Sequence, residues 1–103
     1  MIEIIFKTEN NRVKGFSVTG HANTAPHGHD IVCAGVSALT QTAILGLGEH
    51  LKKKIKYKAE SGDLFVDIED APDELTDAIL KTMKLGLIEI EKLYPKVVKI
   101  KAG

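Results

Sequence analysis

Cys33 and His21 are the two residues of this chain best suited to covalent chemistry. Cys33 is the only cysteine among 103 residues, and three of the four histidines lie within twelve positions of it. Both belong to one stretch, GHANTAPHGHDIVCAGVSAL, from Gly20 to Leu39. A loop rich in Gly, Pro, Asn and His runs into a helical pattern. Asp30 reads as the helix N-cap, since Asp accepts from free backbone N–H groups there. Cys33 then falls in the first helical turn. A thiol reacts as its thiolate, and a helix N-terminus or a neighbouring imidazolium favours that anion. The same N–H groups are candidates for an oxyanion hole when a carbonyl is attacked. His21, separated from Cys33 by eleven residues, would take the thiol proton and return it to a leaving amine.

Other readings of these residues stand beside that one. A lone cysteine is commonly a small buried hydrophobe. His21, His27, His29 and Cys33 could instead hold zinc, although their spacing is irregular and His27-Gly28-His29 sits on a turn. Asp30 either caps the helix or orients the imidazole. Ser37, one turn after Cys33 on the same face, either hydrogen-bonds in the site or bonds back to its own helix. His50 reads as a surface residue. No cofactor is called for.

The elements that must position the pair can be read from periodicity. Residues 2–7 alternate, with Ile2, Ile4 and Phe6 on one face. Glu9-Asn10-Asn11 makes a turn, because Asn tolerates positive φ. Residues 12–19 return as a second strand, with a bulge near Gly15 that brings Val13, Phe16 and Val18 into register. Residues 20–29 have no period and form a loop. From Asp30 a helix extends to about Lys53, burying Val32, Val36, Leu39, Ala43, Leu47 and Leu51, with Gly46 and Gly48 allowing close packing. Ile55, Tyr57 and Ala59 alternate with lysines; Ser61-Gly62-Asp63 turns; Leu64, Val66 and Ile68 form a fourth strand. Asp70-Ala71-Pro72-Asp73 starts a second helix, with Pro in its first turn. Leu75, Ile79, Met83, Gly86, Leu87, Ile90 and Leu93 make its apolar face, and Pro95 stops it. Residues 97–101 are a last short strand. The order is ββαββαβ, which predicts a single α+β domain over 1–103: a mainly antiparallel sheet with two helices. Leu80, Ile88 and Leu64 or Phe65 are either surplus to the core, and so a homodimer surface, or packed inside the monomer.

Composition narrows the class. The 14 basic and 14 acidic residues cancel, which argues against broad nucleic-acid binding; Lys52-Lys53-Lys54 suits a helix C-terminus. A single cysteine cannot close an internal disulfide, and no signal segment is evident, so a cytoplasmic location is expected. No apolar run is expected to reach the ~20 residues of a membrane span.

Gly20-His21-Ala22 followed by Asp30-Ile31-Val32-Cys33-Ala34-Gly35-Val36-Ser37-Ala38-Leu39 resembles the ribosomal-processing cysteine protease family, Prp, whose pattern is G-H-A, a Gly-containing loop, then D-I-V-C-A-x-V-S-A-L. The likeness extends over the chain in length and element order. It implies a cytoplasmic homodimeric endopeptidase that removes a short N-terminal extension from a large-subunit ribosomal protein, after a hydrophobic segment ending in paired aromatics. It implies His21 as the catalytic histidine and Cys33 as the nucleophile, with the motif Asp and Ser at Asp30 and Ser37. The loop carrying Gly20, Ala22 and Gly28 would fold over substrate. Gly35 stands where the family often has Ala, and His27 and His29 make the loop unusually histidine-rich. The alternatives are a non-enzymatic ribosome-assembly or binding factor, or a zinc-binding domain.

Overall fold

A computed structural model describes residues 1–20, 28–60 and 62–102, with residues 28–30 and 102 described by their backbone. Strand β1 (Ile2–Glu9) buries Ile2, Ile4 and Phe6, as its alternation requires. Asn10 and Asn11 both take positive φ, 52° and 66°. Positive φ at both central residues of a two-residue hairpin matches the right-handed twist of the flanking strands. Strand β2 (Arg12–Thr19) returns antiparallel. Its register slips by one residue where Lys7 faces Gly15 but Thr8 faces Val13. That bulge lets Val13 and Phe16 both point into the core despite their odd spacing.

Strands β3 (Ile55–Glu60) and β4 (Asp63–Ile68) form the second hairpin, and β5 (Val98–Ala102) closes the sheet. The order across the sheet is β3-β4-β2-β1-β5, with β5 parallel to β1 and every other pair antiparallel. The fold is therefore α+β in the order ββαββαβ, with helices α1 (Gly28–Leu45) and α2 (Glu74–Leu93). Apolar side chains of both helices and of the sheet form one core.

Several boundaries differ from the sequence expectation. The first helix begins at Gly28, two residues before Asp30. The α-helix ends at Leu45 and widens into a π-helical turn, Gly46–His50, and Lys52 reverses the chain at φ 58°. A Cβ on Gly46 would lie 3.0 Å from Ile79, and one on Gly48 3.3 Å from Ile55, so these glycines do permit close packing. Thr40, which an apolar-stripe reading passes over, is fully buried and gives its hydroxyl proton to the Val36 carbonyl. Residues Ile31–His50 do reach spanning length and hydropathy, 20 residues at a mean hydropathy of 1.7. Here Val32, Val36, Ala43, Ile44 and Leu47 of that run are buried in the core.

On α2 the buried face is centred on Thr76, Leu80, Met83 and Leu87, while Leu75 and Leu93 are exposed. Leu80 and Leu64 belong to the core rather than to a spare surface. Pro72 precedes the helix; the N-cap is Asp73, whose Oδ1 accepts from the Leu75 and Thr76 N–H groups at 2.9 Å each. Thr76 Oγ1 accepts from the Asp73 N–H in return, so a Thr completes the capping box where Glu or Gln is usual. Asp77 is buried on this helix and accepts from the Val13 N–H at 2.9 Å.

Lys53 Nζ donates to Asp73 Oδ2 at 2.6 Å. That bond and the cap N–H groups hold the Asp73 carboxyl down to about 2. Burial alone would push Asp77 up, but the Val13 N–H, Lys81 and Arg12 outweigh it and hold it below the usual carboxylate range. Both carboxylates are depressed in the folded state. Their stabilisation is thus complete above the unfolded value near 4 and lost as pH falls toward 2. The urea midpoint should drop between pH 5 and pH 2.5, and Asp73→Asn should flatten that slope. An unchanged slope in the variant would remove Asp73 from the acid sensitivity.

Candidate active site

Cys33 lies on α1, half-buried, with its side chain packed against the core. It lines a cavity of about 340 Å³ between α1 and the ends of the strands. Cys33, Ser37 and Gln41 form the helix wall; Gly20, Gly62 and Asp63 form the opposite rim. Ser37 and Cys33 thus meet in one site, as their one-turn spacing predicts. The Ser37 hydroxyl oxygen accepts from Gln41 Nε2 at 3.0 Å, so its local partner is the next turn's amide.

Gly20 follows the last residue of β2 at φ +94° and gives its N–H to the Gly62 carbonyl at 3.1 Å. A Cβ here would stand 2.2 Å from the Met1 carbonyl oxygen. Glycine is required on both counts, because L side chains rarely adopt this φ and the space is filled by backbone. The residue just before His21 is thereby pinned between the start of β1 and the start of β4, on the rim of the cavity that holds Cys33. Gly20→Ala is expected to cost about 1–3 kcal/mol and to lower activity. A melting temperature within a degree of wild type would contradict this.

His21, Ala22 and His27 lie outside the described residues. The zinc alternative also leans on these positions; among the described residues no three His, Cys, Asp or Glu side chains gather. Gly28 and His29 are the first two residues of α1, and Asp30 is the third. Asp30 therefore does not precede the helix as a cap would. It still sits in the first turn, where a carboxylate suits the positive helix end. Cys33 is the sixth helical residue, one turn deeper than its spacing from Asp30 implies. The unpaired N–H groups of a helix belong to its first four positions. The Cys33 N–H is consequently inside the ladder, and oxyanion donors at the helix start lie a turn away. Helical side chains lean toward the N-terminus, which carries the sulfur back in that direction. His50 is exposed, as expected.

Gln41 and the β3–β4 turn were not legible as site residues. Gln41 could have been found from its four-residue spacing to Ser37. The turn could not, since it joins the site only because β4 lies beside β2.

A thiol in the wall of a cavity at the sheet's edge suits covalent attack on a peptide, and comparison with known proteins assigns the class: a family model described as cysteine protease Prp matches residues 1–99. The enzyme is a cysteine protease. It belongs to the Prp family of ribosomal-processing cysteine proteases. The chain is 32% identical over 95 residues to the ribosomal processing cysteine protease Prp of Staphylococcus aureus, covering 89% of each. It is 45% identical over 40 residues to the Bacillus subtilis Prp, 39% of this chain and 36% of that one. The fold also matches the crystal structure of the essential S. aureus Prp with a covalently linked product peptide, at TM-score 0.88 and 24% identity over the whole of both chains.

Proposed function

We propose that this protease removes the N-terminal extension of a large-subunit ribosomal protein, with Cys33 as nucleophile and His21 as general base. The observation that carries the reading is the shared cavity: the chain's one thiol lines it together with Gly20, the residue from which His21 follows. His21 takes the proton from Cys33 as the thiolate forms a bond to the scissile carbonyl carbon. The tetrahedral oxyanion collapses, the C–N bond breaks, and the proton passes to the leaving amine. Water, deprotonated by the same imidazole, then hydrolyses the thioester and frees Cys33. The S. aureus relative with its covalently linked product peptide supports a covalent route here.

Ser37 and Asp30 are supporting groups. Ser37 offers a hydroxyl one turn from the sulfur, and Asp30 places negative charge in the first turn of α1. The segment from Gly20 through Ala22 to Gly28 contacts substrate. The unpaired cysteine supports a cytoplasmic setting, and the family likeness supports a homodimer. A peptide spanning the extension junction, incubated with the enzyme and read by mass spectrometry, tests the reading. One specific cut that depends on Cys33 supports it. An uncut peptide, alongside an assembly function that survives loss of the thiol, would favour a binding factor instead.

A further inference from the structure

Cys33, Ser37 and Gln41 follow one another at four-residue spacing along one face of α1, and all three line the cavity. Thr40, on the same helix, shows what a helical hydroxyl ordinarily does. It is buried and gives its proton back to the Val36 carbonyl at 2.8 Å. Ser37 behaves differently. Among the described residues no group accepts the Ser37 proton, and its oxygen instead receives an N–H of Gln41 Nε2 at 3.0 Å.

That pairing has a direction. An amide nitrogen only donates, while a hydroxyl carries one proton and two lone pairs. With Gln41 donating, one Ser37 lone pair is occupied and the hydroxyl is left as a donor. Helical side chains lean toward the N-terminus. Gln41 therefore reaches back over Ser37, and Ser37 leans over the turn that carries Cys33. The amide takes the C-terminal side of the oxygen, which directs the proton to the N-terminal side, toward the thiol.

A donor is needed there. The free N–H groups of α1 lie a turn before Cys33, and the Cys33 N–H is inside the ladder. An oxyanion formed beside the sulfur thus has no free backbone donor from the turn that holds it. Helical neighbours four residues apart have Cβ atoms about 5–6 Å apart. Ser37 and Cys33 share no hydrogen bond, but both reach an oxygen placed between them. An O–H···O⁻ bond takes up about 2.6 Å, and the oxyanion's carbon with its new bond to sulfur fills the rest.

We propose that Gln41 is a positioning residue for the protease: its amide occupies the Ser37 oxygen and so holds the hydroxyl proton toward the oxyanion that forms at Cys33. The inference rests on Cys33 being the nucleophile. As the thiolate bonds to the scissile carbonyl carbon, the C=O pair moves onto oxygen, and the Ser37 O–H donates to it without giving up its proton. When that pair returns, the C–N bond breaks and the amine takes its proton from the histidine. The Ser37 bond is strongest at the charged intermediate, so it acts on kcat rather than on KM. Deleting a whole oxyanion donor costs about 10²–10³ in kcat, and releasing only its orientation should cost about tenfold.

Steady-state cleavage of the junction peptide tests this. Gln41→Leu keeps the bulk and removes the donor; kcat should fall about tenfold with KM within about twofold of wild type. Gln41→Glu offers only an acceptor at neutral pH and draws the Ser37 proton away from Cys33, so kcat should fall at least as far. Gln41→Arg offers only donors and should keep kcat within about threefold. Ser37→Ala should cost more than Gln41→Leu, and adding Gln41→Leu to it should cost nothing further, because an orienting group has no effect once its target is gone. Gln41 is exposed, so melting curves of its variants should stay close to wild type. Full activity in Gln41→Glu, a loss carried by KM alone, or losses that multiply in the double variant each overturn the positioning role and leave the nucleophile assignment standing. Cleavage that survives Cys33→Ala overturns that assignment and this inference with it.

Discussion

Cys33→Ala should lower kcat for peptide cleavage by about 10⁴-fold or more, the scale seen when a catalytic nucleophile is deleted, while leaving the fold in place. No other thiol can substitute, since the chain has one cysteine. The alternative nucleophile in the cavity is the Ser37 hydroxyl, and it is already bonded to Gln41. Structurally the change is small. Ala is the best helix former, and only a half-buried sulfur is removed from α1. The melting temperature should therefore move by a few degrees at most, so a loss of cleavage reports chemistry rather than unfolding. Mass spectrometry of the junction peptide and a thermal melt on the same sample decide it. Wild-type cleavage by the variant would refute the nucleophile assignment. A variant that fails to melt cooperatively would show that Cys33 is structural, the ordinary fate of a lone cysteine.

The second large effect concerns stability. Asp77→Ala should cost about 2–3 kcal/mol, mostly because it strands a buried donor. Asp77 accepts from the Val13 N–H at 2.9 Å beside the β-bulge, joining α2 to the first hairpin. Arg12 lies at 3.4 Å and Lys81 at 3.3 Å. Those cations are partly or largely exposed, 38% and 58%, so they regain water on losing the carboxylate and contribute little of the cost. The Val13 N–H has no such recourse. For a domain of this size the melting temperature should fall by roughly 10–20 °C. Asp77→Asn keeps an acceptor oxygen and should recover at least half of the loss. If Asn is as damaging as Ala, the charge pairs rather than the N–H bond hold this corner. A fall of less than about 2 °C for Ala would void the argument.

These two residues differ in how far sequence could reach them. Cys33 stands out by being unique and by its motif. Asp77 sits at an ordinary acidic position in the first turn of a helix, and its partner is 64 residues away. Thr40 is similar. An apolar-stripe reading has no reason to place a threonine at zero exposure, yet its hydroxyl is satisfied within its own helix and burial then costs little. Leu75 and Leu93 err in the opposite sense. They keep helical spacing, but the stripe facing the sheet turned out to be the neighbouring one through Leu80.

Local chemistry determined much of this protein from sequence alone. Alternation set the strands, paired asparagines set the first hairpin, an odd spacing around Gly15 revealed the bulge, and a motif of ten residues pointed to the thiol. These signals act between residues a few positions apart, so they survive without a fold. Tertiary structure decided the order of the strands, with β4 inserted beside β2 and β5 parallel to β1. That order is a choice among long-range pairings, and it builds the far rim of the Cys33 cavity from a turn some thirty residues downstream. It also decided where the first helix begins. Cys33 lies in the second turn, because backbone bonding carried the helix back through Gly28 and His29, which composition reads as loop.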